Sequence, residues 1–145
     1  MPDPGGADVG AVVVAALDAL GVEYEVLPCD PDFADTAAFC EHYGYSAEES
    51  ANTIVVAGTR GAEPRRYVAC VVTAATRLDV NATVRRRLGV RKASFASAEE
   101  TLALTGMMIG GVTPFGLPDG VPVWVDPAVL NQPAVILGGG SRSQK

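Results

Sequence analysis

Along the chain, the apolar positions switch repeatedly between a helical period and an alternating or continuous one, so short helices and strands are expected to follow one another. The helical stretches end at glycines, which often close a helix in the left-handed conformation. Residues able to cap a helix start stand before several of them, as Ser97 does before Glu100. Helices are therefore predicted over residues 7–20, 36–43, 78–88 and 98–105, with single turns after Ser46 and Asp126.

The strand signals are of two kinds. Residues 53–57 and 66–73 are continuous apolar runs rich in valine, typical of strands buried on both faces, and the loop 58–64 between them predicts a hairpin. Residues 22–26 alternate Val-Glu-Tyr-Glu-Val, which predicts a strand with one wet face. Together with the helices, these runs indicate an α/β domain with a mixed sheet. Further short strands are predicted over residues 91–95, 121–125 and 134–137.

The length and composition favour a single globular domain over residues 1–145, with a flexible, Pro/Gly-rich start at residues 1–6. No apolar run is long enough to cross a bilayer and no basic stretch precedes a hydrophobic one, so a cytoplasmic protein without a membrane partner is predicted. Three widely spaced cysteines and one histidine argue against a disulfide framework or a zinc site. No metal or cofactor is expected.

Charge is unevenly distributed. Residues 1–59 hold eleven acidic side chains and no Lys or Arg, whereas residues 60–92 hold nine basic side chains. The net charge of −6 argues against a general nucleic-acid-binding protein, and no DNA partner is expected. Two explanations stay open: the two segments neutralise each other or are simply solvated, or the basic segment forms a local face that attracts a polyanion.

The most distinctive stretch is residues 107–116, which is uncharged and places Gly110 and Gly111 shortly before Pro114. Glycines allow close approach of the main chain to a ligand, and proline fixes the local backbone. This composition predicts either a pocket floored by peptide groups or a tight connection between elements.

With these residues in view, the chain resembles the YbaK/EbsC family of aminoacyl-tRNA deacylases, which is related to the editing domain inserted in bacterial prolyl-tRNA synthetases. Residues 110–116 resemble the GxxxP substrate loop of that family, with Gly110 and Pro114 in the defining places. Leu78-Asp79-Val80 resembles its LDL helix start. Residues 138–142, Gly-Gly-Gly-Ser-Arg, resemble its second glycine-rich loop. The likeness extends from about residue 13 to residue 142.

The resemblance implies a compact domain around a mixed, barrel-like sheet of about six strands, surrounded by short helices. It implies a freestanding trans-editing hydrolase that cleaves the ester of a mischarged aminoacyl-tRNA without a metal. The partner would be the acceptor end of the tRNA, and an aminoacyl-tRNA synthetase is a second partner that this likeness allows. The ester and the terminal ribose would be held by backbone groups, with a water and the tRNA's own ribose hydroxyl taking part in the attack. The implied substrate-binding residues are Thr53, Gly110, Gly111, Pro114, Phe115, Gly138, Gly139, Gly140 and Arg142, and the implied tRNA-binding residues are Arg85, Arg86 and Arg87.

The sequence departs from the family at Asn52, the candidate catalytic residue. Family members usually enter the central strand through Lys-Thr-Leu, and Asn52-Thr53-Ile54 stands there instead. Asparagine can donate and accept hydrogen bonds but has no positive charge. No lysine precedes Lys92, so none nearby in the sequence replaces it. The family also generally continues beyond the position of Lys145, so the resemblance implies either a shorter member or an incomplete one, in which groups that complete the pocket would be missing.

Three functions therefore compete. The first is the editing hydrolase with a modified site at Asn52. The second is a catalytically silent module that binds aminoacyl-tRNA, a small aminoacyl ligand or a protein partner. The third is a small-molecule esterase that uses Cys29 or His42, although both residues are more often structural.

Overall fold

The computed structural model describes residues 9–145 and centres on a four-stranded mixed sheet in the order β3-β1-β2-β4. The middle strands β1 (Ala51–Thr59) and β2 (Arg66–Thr73) form the predicted antiparallel hairpin. Strand β3 (Lys92–Phe95) pairs antiparallel with β1, and β4 (Val123–Val125) pairs parallel with β2. Because both faces of β1 and β2 are covered, these strands show the continuous apolar runs that predicted them.

Five α-helices surround the sheet within the described range. The predicted caps are confirmed, because a glycine with positive φ follows α1, α2, α3 and α4. No helix of residues 9–145 has the length and apolar composition needed to cross a bilayer. The flexible start predicted at residues 1–6 and the first two residues of the predicted helix 7–20 lie outside the described residues. The helices are α1 (Val9–Leu20), α2 (Thr36–Tyr43), α3 (Arg85–Leu88), α4 (Ala98–Thr105) and α5 (Pro127–Leu130), with a 3₁₀ turn at Pro31–Phe33 and a π-helical turn at Val80–Val84.

Side chains from opposite faces of β1 build two separate cores. Val56 packs with Val84 and Leu88, so the π-helical turn and α3 cover one face of the sheet. On the other face, Val55 packs with Met107, and the chain that follows α4 closes that core together with α1. The second face is where the glycine-rich loops gather.

Two predicted strands are wrong, and the implied six strands and barrel-like closure are not confirmed. Residues 22–26 form no strand, and the side chains of Val22 and Val26 are 46% and 45% exposed. An alternating pattern makes a strand only where a neighbouring segment pairs with it. Within residues 9–145, this part of the chain is first paired at Leu27, whose N–H and C=O bond to Lys145. Residues 134–137 contribute a single bridge between Ile136 and Ser50.

Ser97 caps the start of α4 and is expected to stabilise the protein. The Ser97 hydroxyl accepts a hydrogen bond from the N–H of Glu100 at 3.0 Å, as the capping pattern predicted. Ser97→Ala is expected to lower the free energy of unfolding by about 1 kcal/mol. Urea unfolding followed by circular dichroism measures this loss. Ser94→Ala, an exposed change in β3, is the matched control, and an equal loss in both variants would contradict the capping role.

Candidate active site

A cavity of about 420 Å³ opens beside β1, on the edge that β3 covers only along the second half of the strand. The N–H of Ala51 donates to the carbonyl of Ile136 at 2.9 Å on this edge. Farther along, the carbonyl of Val55 accepts from the N–H of Ala96 at 2.9 Å. Since main-chain groups of successive strand residues point to opposite edges, the N–H and C=O of Thr53 face this same edge. The cavity therefore has a peptide group of β1 in its wall.

The wall combines groups from segments far apart in the sequence. Strand β1, the start of α2, the loop after α4, the glycine-rich loop after residue 137 and the end of the chain all contribute. Phe95 and Ile109 add apolar surface and are 60% and 48% exposed, so they stand at the mouth. Such a mixture of apolar walls and a few polar groups is typical of small-molecule sites. The polar side chains in the wall belong to Asp35, Thr36, Asn52, Thr53, Thr101 and Lys145.

Asn52 is fixed by its neighbour on α2. The Thr36 hydroxyl donates a hydrogen bond to Asn52 Oδ1. This contact uses the acceptor of the amide, and within the described residues its NH₂ group has no partner. Asn52 therefore offers two N–H donors to whatever occupies the cavity.

Thr53 presents a second unused group. Its Oγ1 is buried and makes no hydrogen bond within residues 9–145, and the residue is only 9% exposed. A buried hydroxyl without a partner costs about 1 to 3 kcal/mol. An occupant that bonds to this hydroxyl recovers that cost, which is the property expected of a binding group.

The two glycine-rich loops pack against each other, and only Gly110 and Gly138 of the predicted glycines line the cavity. The N–H of Gly111 donates to Met108 O at 2.8 Å, and the N–H of Gly140 donates to Gly111 O at 2.7 Å. These N–H groups are therefore engaged within the protein. Gly139 is buried against Gln144, where a Cβ would lie 2.6 Å from the Gln144 carbonyl oxygen.

Arg142 does not line the cavity, but its guanidinium connects three segments beside it. Its Nε and Nη2 donate to Pro31 O at 3.1 and 2.7 Å. Its Nη1 reaches Asp35 Oδ1 at 3.1 Å and also the carbonyl of Ile109. The guanidinium predicted to contact a phosphate or ribose thus joins the 3₁₀ turn, the start of α2 and the glycine loop.

The remaining predicted residues lie elsewhere. Phe115 packs into the core beside Val13 and lines a second, larger cavity of about 1070 Å³. This cavity is bounded by residues 22–27 and 133–139 and is mostly apolar. Pro114 lines neither cavity. Arg85, Arg86 and Arg87 are exposed on α3, on the opposite face of the sheet from the glycine loops.

Sequence reasoning missed Lys145. Its Nζ donates to Gly110 O at 2.8 Å and also to the carbonyl of Ala34, and it lies 5.3 Å from the centre of the Phe39 ring. Burial lowers the pKa of this ammonium. The sequence contains only two lysines, which makes each of them a candidate for the missing charge. No motif or spacing, however, places either of them near Asn52.

The residues of the esterase alternative are not arranged for catalysis. The His42 ring stacks on Phe33 with centroids 3.8 Å apart and lies outside the cavity wall. Cys29 is buried, and burial raises the pKa of its thiol, which disfavours the nucleophilic thiolate. Cys29 also lies outside the cavity wall.

The family model of the aminoacyl-tRNA editing domain matches residues 30–145, and the chain belongs to this family. The resemblance found in the sequence is thereby confirmed. The chain is also similar to the crystal structure of the hypothetical protein APE2540, with 27% identity and a TM-score of 0.78 over 92% of this chain and 85% of that one.

Two further solved structures share the fold. One is described as a candidate trans-editing enzyme for prolyl tRNA synthetase, with 23% identity and a TM-score of 0.75 over 99% of this chain and 85% of that one. The other comes from scaffold proteins used for epitope backbone grafting, with 23% identity and a TM-score of 0.77 over 94% and 83%.

Proposed function

We propose that this protein is a freestanding editing hydrolase that removes a wrongly attached amino acid from tRNA. The observation that supports this most is the cavity beside β1 in a member of the aminoacyl-tRNA editing family. Its wall holds the unused donors of Asn52, the unpartnered hydroxyl of Thr53 and a main-chain edge. An aminoacyl ester has the complementary acceptors in its carbonyl and ribose oxygens.

The proposed reaction is hydrolysis of the aminoacyl ester by a water molecule. A water oxygen adds to the ester carbonyl carbon, the bond from that carbon to the ribose oxygen breaks, and the ribose oxygen takes a proton from the water. Preorganised donors aimed at the carbonyl oxygen stabilise the negative charge that develops there. The Asn52 amide supplies such donors without a positive charge, and the ribose hydroxyl of the tRNA can help to orient the water.

Outside the cavity, the basic segment supports RNA binding. The ion pairs that its arginines make within residues 9–145 join Arg65 to Glu100 and Arg66 to Glu63, so none involves the acidic segment before residue 60. Arg85, Arg86 and Arg87 stay exposed on α3, and the end of α3 packs beside Gly58. Gly58 is five residues along β1 from Thr53, or about 17 Å. A single-stranded acceptor end is expected to span that distance between the cavity and its helical stem.

Changing Arg85, Arg86 and Arg87 together to Gln tests this placement. The KM for aminoacyl-tRNA is expected to rise about tenfold with little change in kcat, because the arginines contact phosphates and not the ester. The slope of log affinity against log salt should fall by about 1 for each contributing arginine. Hydrolysis of a small aminoacyl-adenosine, which lacks the stem, is the control and should be unchanged. An unaltered salt slope would contradict the proposed face.

The function itself is tested by release of labelled amino acid from a panel of correctly and incorrectly charged tRNAs, including alanyl- and cysteinyl-tRNA for proline. Selective cleavage of mischarged tRNA is the expected result, and the panel names the substrate. Binding without turnover across the panel would instead favour the silent binding module. In that case Asn52→Lys is the variant to assay, because it adds the positive charge that the strand entrance lacks. A synthetase partner stays a prediction of the family likeness.

A further inference from the structure

Among the described residues, the wall of the cavity contains one basic side chain, that of Lys145. Two of its three ammonium N–H groups are bonded to the carbonyls of Gly110 and Ala34. These contacts fix the position of Nζ between the glycine loop and the start of α2. The third N–H has no partner within residues 9–145, and Lys145 lines both this cavity and the second one, so a ligand bound beside it can accept that N–H.

The charge of Lys145 is also unpaired. The carboxylate of Asp35 also lies in the cavity wall, but it forms its ion pair with Arg142, at 3.1 Å. Within the described residues no ion pair includes Lys145. A half-buried ammonium supported only by two carbonyls and the face of the Phe39 ring keeps an uncompensated positive charge. A site of this kind favours negative charge that forms within it.

We propose that Lys145 is a catalytic residue of the deacylation, donating its third N–H to the ester carbonyl oxygen as that oxygen becomes negative. This inference rests on the proposed function. Lys145 moves no proton permanently: the water supplies the proton that the departing ribose oxygen takes, and the ammonium only stabilises the oxyanion. Asn52 donates a second hydrogen bond to the same oxygen. Lys145 adds the positive charge that the Asn52 amide lacks.

The proposal has a signature in the pH dependence of the rate. Burial lowers the pKa of Lys145, Arg142 lowers it further, and Cys29, Asp35 and Cys40 oppose these effects. The ammonium acts only while protonated, so kcat should fall as pH rises through this lowered pKa. Arginine remains charged throughout that range, so in Lys145→Arg any fall should move to higher pH.

The test compares single- and multiple-turnover deacylation by the full chain and by its Lys145→Met, Lys145→Arg and Glu41→Met variants, on the substrate that the tRNA panel identifies. Methionine keeps the length of the side chain but removes charge and donors. Lys145→Met is expected to lower kcat about a hundredfold with KM changed less than about threefold. Glu41→Met, which removes a charge from an exposed position of α2 outside both cavities, is the control and should keep the full kcat.

The outcomes separate the two claims. Lack of cleavage by the unmodified chain on every tRNA would overturn the proposed function and this inference with it. Cleavage that Lys145→Met leaves intact would overturn the inference alone. A purely structural role predicts different results for Lys145→Met: a lower melting temperature, an equal loss of activity on all substrates and an unchanged pH profile, with no recovery of activity in Lys145→Arg. These results would overturn the inference, because they would show that Lys145 only connects Gly110 and Ala34.

Discussion

Gly110→Ala is expected to lower the deacylation rate by a hundredfold or more. Gly110 has a φ of 93°, and its carbonyl accepts the Lys145 ammonium at 2.8 Å. A Cβ there would fall within the contact distance of Arg142 Nη1 and 3.0 Å from Asp35 Oδ1. The new methyl group would therefore displace Arg142 and the loop that holds Lys145, and with them the donors proposed to act on the ester. Misplacement of such groups by about 1 Å is enough for an effect of this size.

Gly120→Ala is a closely matched control for this prediction. Gly120 has a φ of 90°, and a Cβ there meets no atom of residues 9–145 within 4 Å. It therefore imposes a similar backbone cost of about 1 to 2 kcal/mol without a clash and away from the cavity. Single-turnover rates and melting curves of both variants separate the two effects. Equal rates in the two variants would contradict the role given to Gly110.

Gly138→Ala is expected to reduce the free energy of unfolding by about 3 kcal/mol or more. A Cβ at Gly138 would press on the carbonyl oxygen of Val112 and lie 2.9 Å from main-chain atoms of Gly111. Main-chain atoms cannot rotate aside as the end of a side chain can, so the two loops would have to separate. A loss of this size lowers the melting temperature by roughly 10 °C.

Differential scanning calorimetry measures this second prediction. Gly61→Ala is the control, because Gly61 has a φ of 57° and a Cβ there meets no atom of the described residues within 4 Å. In Gly61→Ala the only destabilising effect is the left-handed backbone conformation. Gly138 does not have a positive φ, so Gly138→Ala is destabilised only by the steric clash. A smaller loss in Gly138→Ala than in Gly61→Ala would show that the loops are not packed as described.

Much of the fold could be predicted because its signals are local. The glycine after each of the first four helices, the Ser97 cap and the hairpin of β1 and β2 depend on a few neighbouring residues and on burial of both faces. The failures depend on distant partners. Residues 22–26 alternate as a strand should, but within residues 9–145 no segment forms a ladder with them.

The site shows the same division. Asn52, Thr53, Gly110 and Gly138 were predicted from motifs and do line one cavity. Arg142 was predicted as a ligand contact, but contacts with residues more than a hundred positions away engage its guanidinium. Lys145 enters the cavity because its main chain pairs with Leu27, a contact that no spacing in the sequence reveals.

The most direct test of the account is to locate the binding site of an amide-linked alanyl-adenosine, in which nitrogen replaces the ester oxygen so that hydrolysis is blocked. Backbone amide spectra of ¹⁵N-labelled protein should show saturable shifts at Thr53, Gly110 and Ala96, around the 420 Å³ cavity. Unacylated adenosine should produce much smaller shifts. Shifts confined to residues 22–27 and 133–137, which line the second cavity, would contradict the claim that the aminoacyl end binds beside β1.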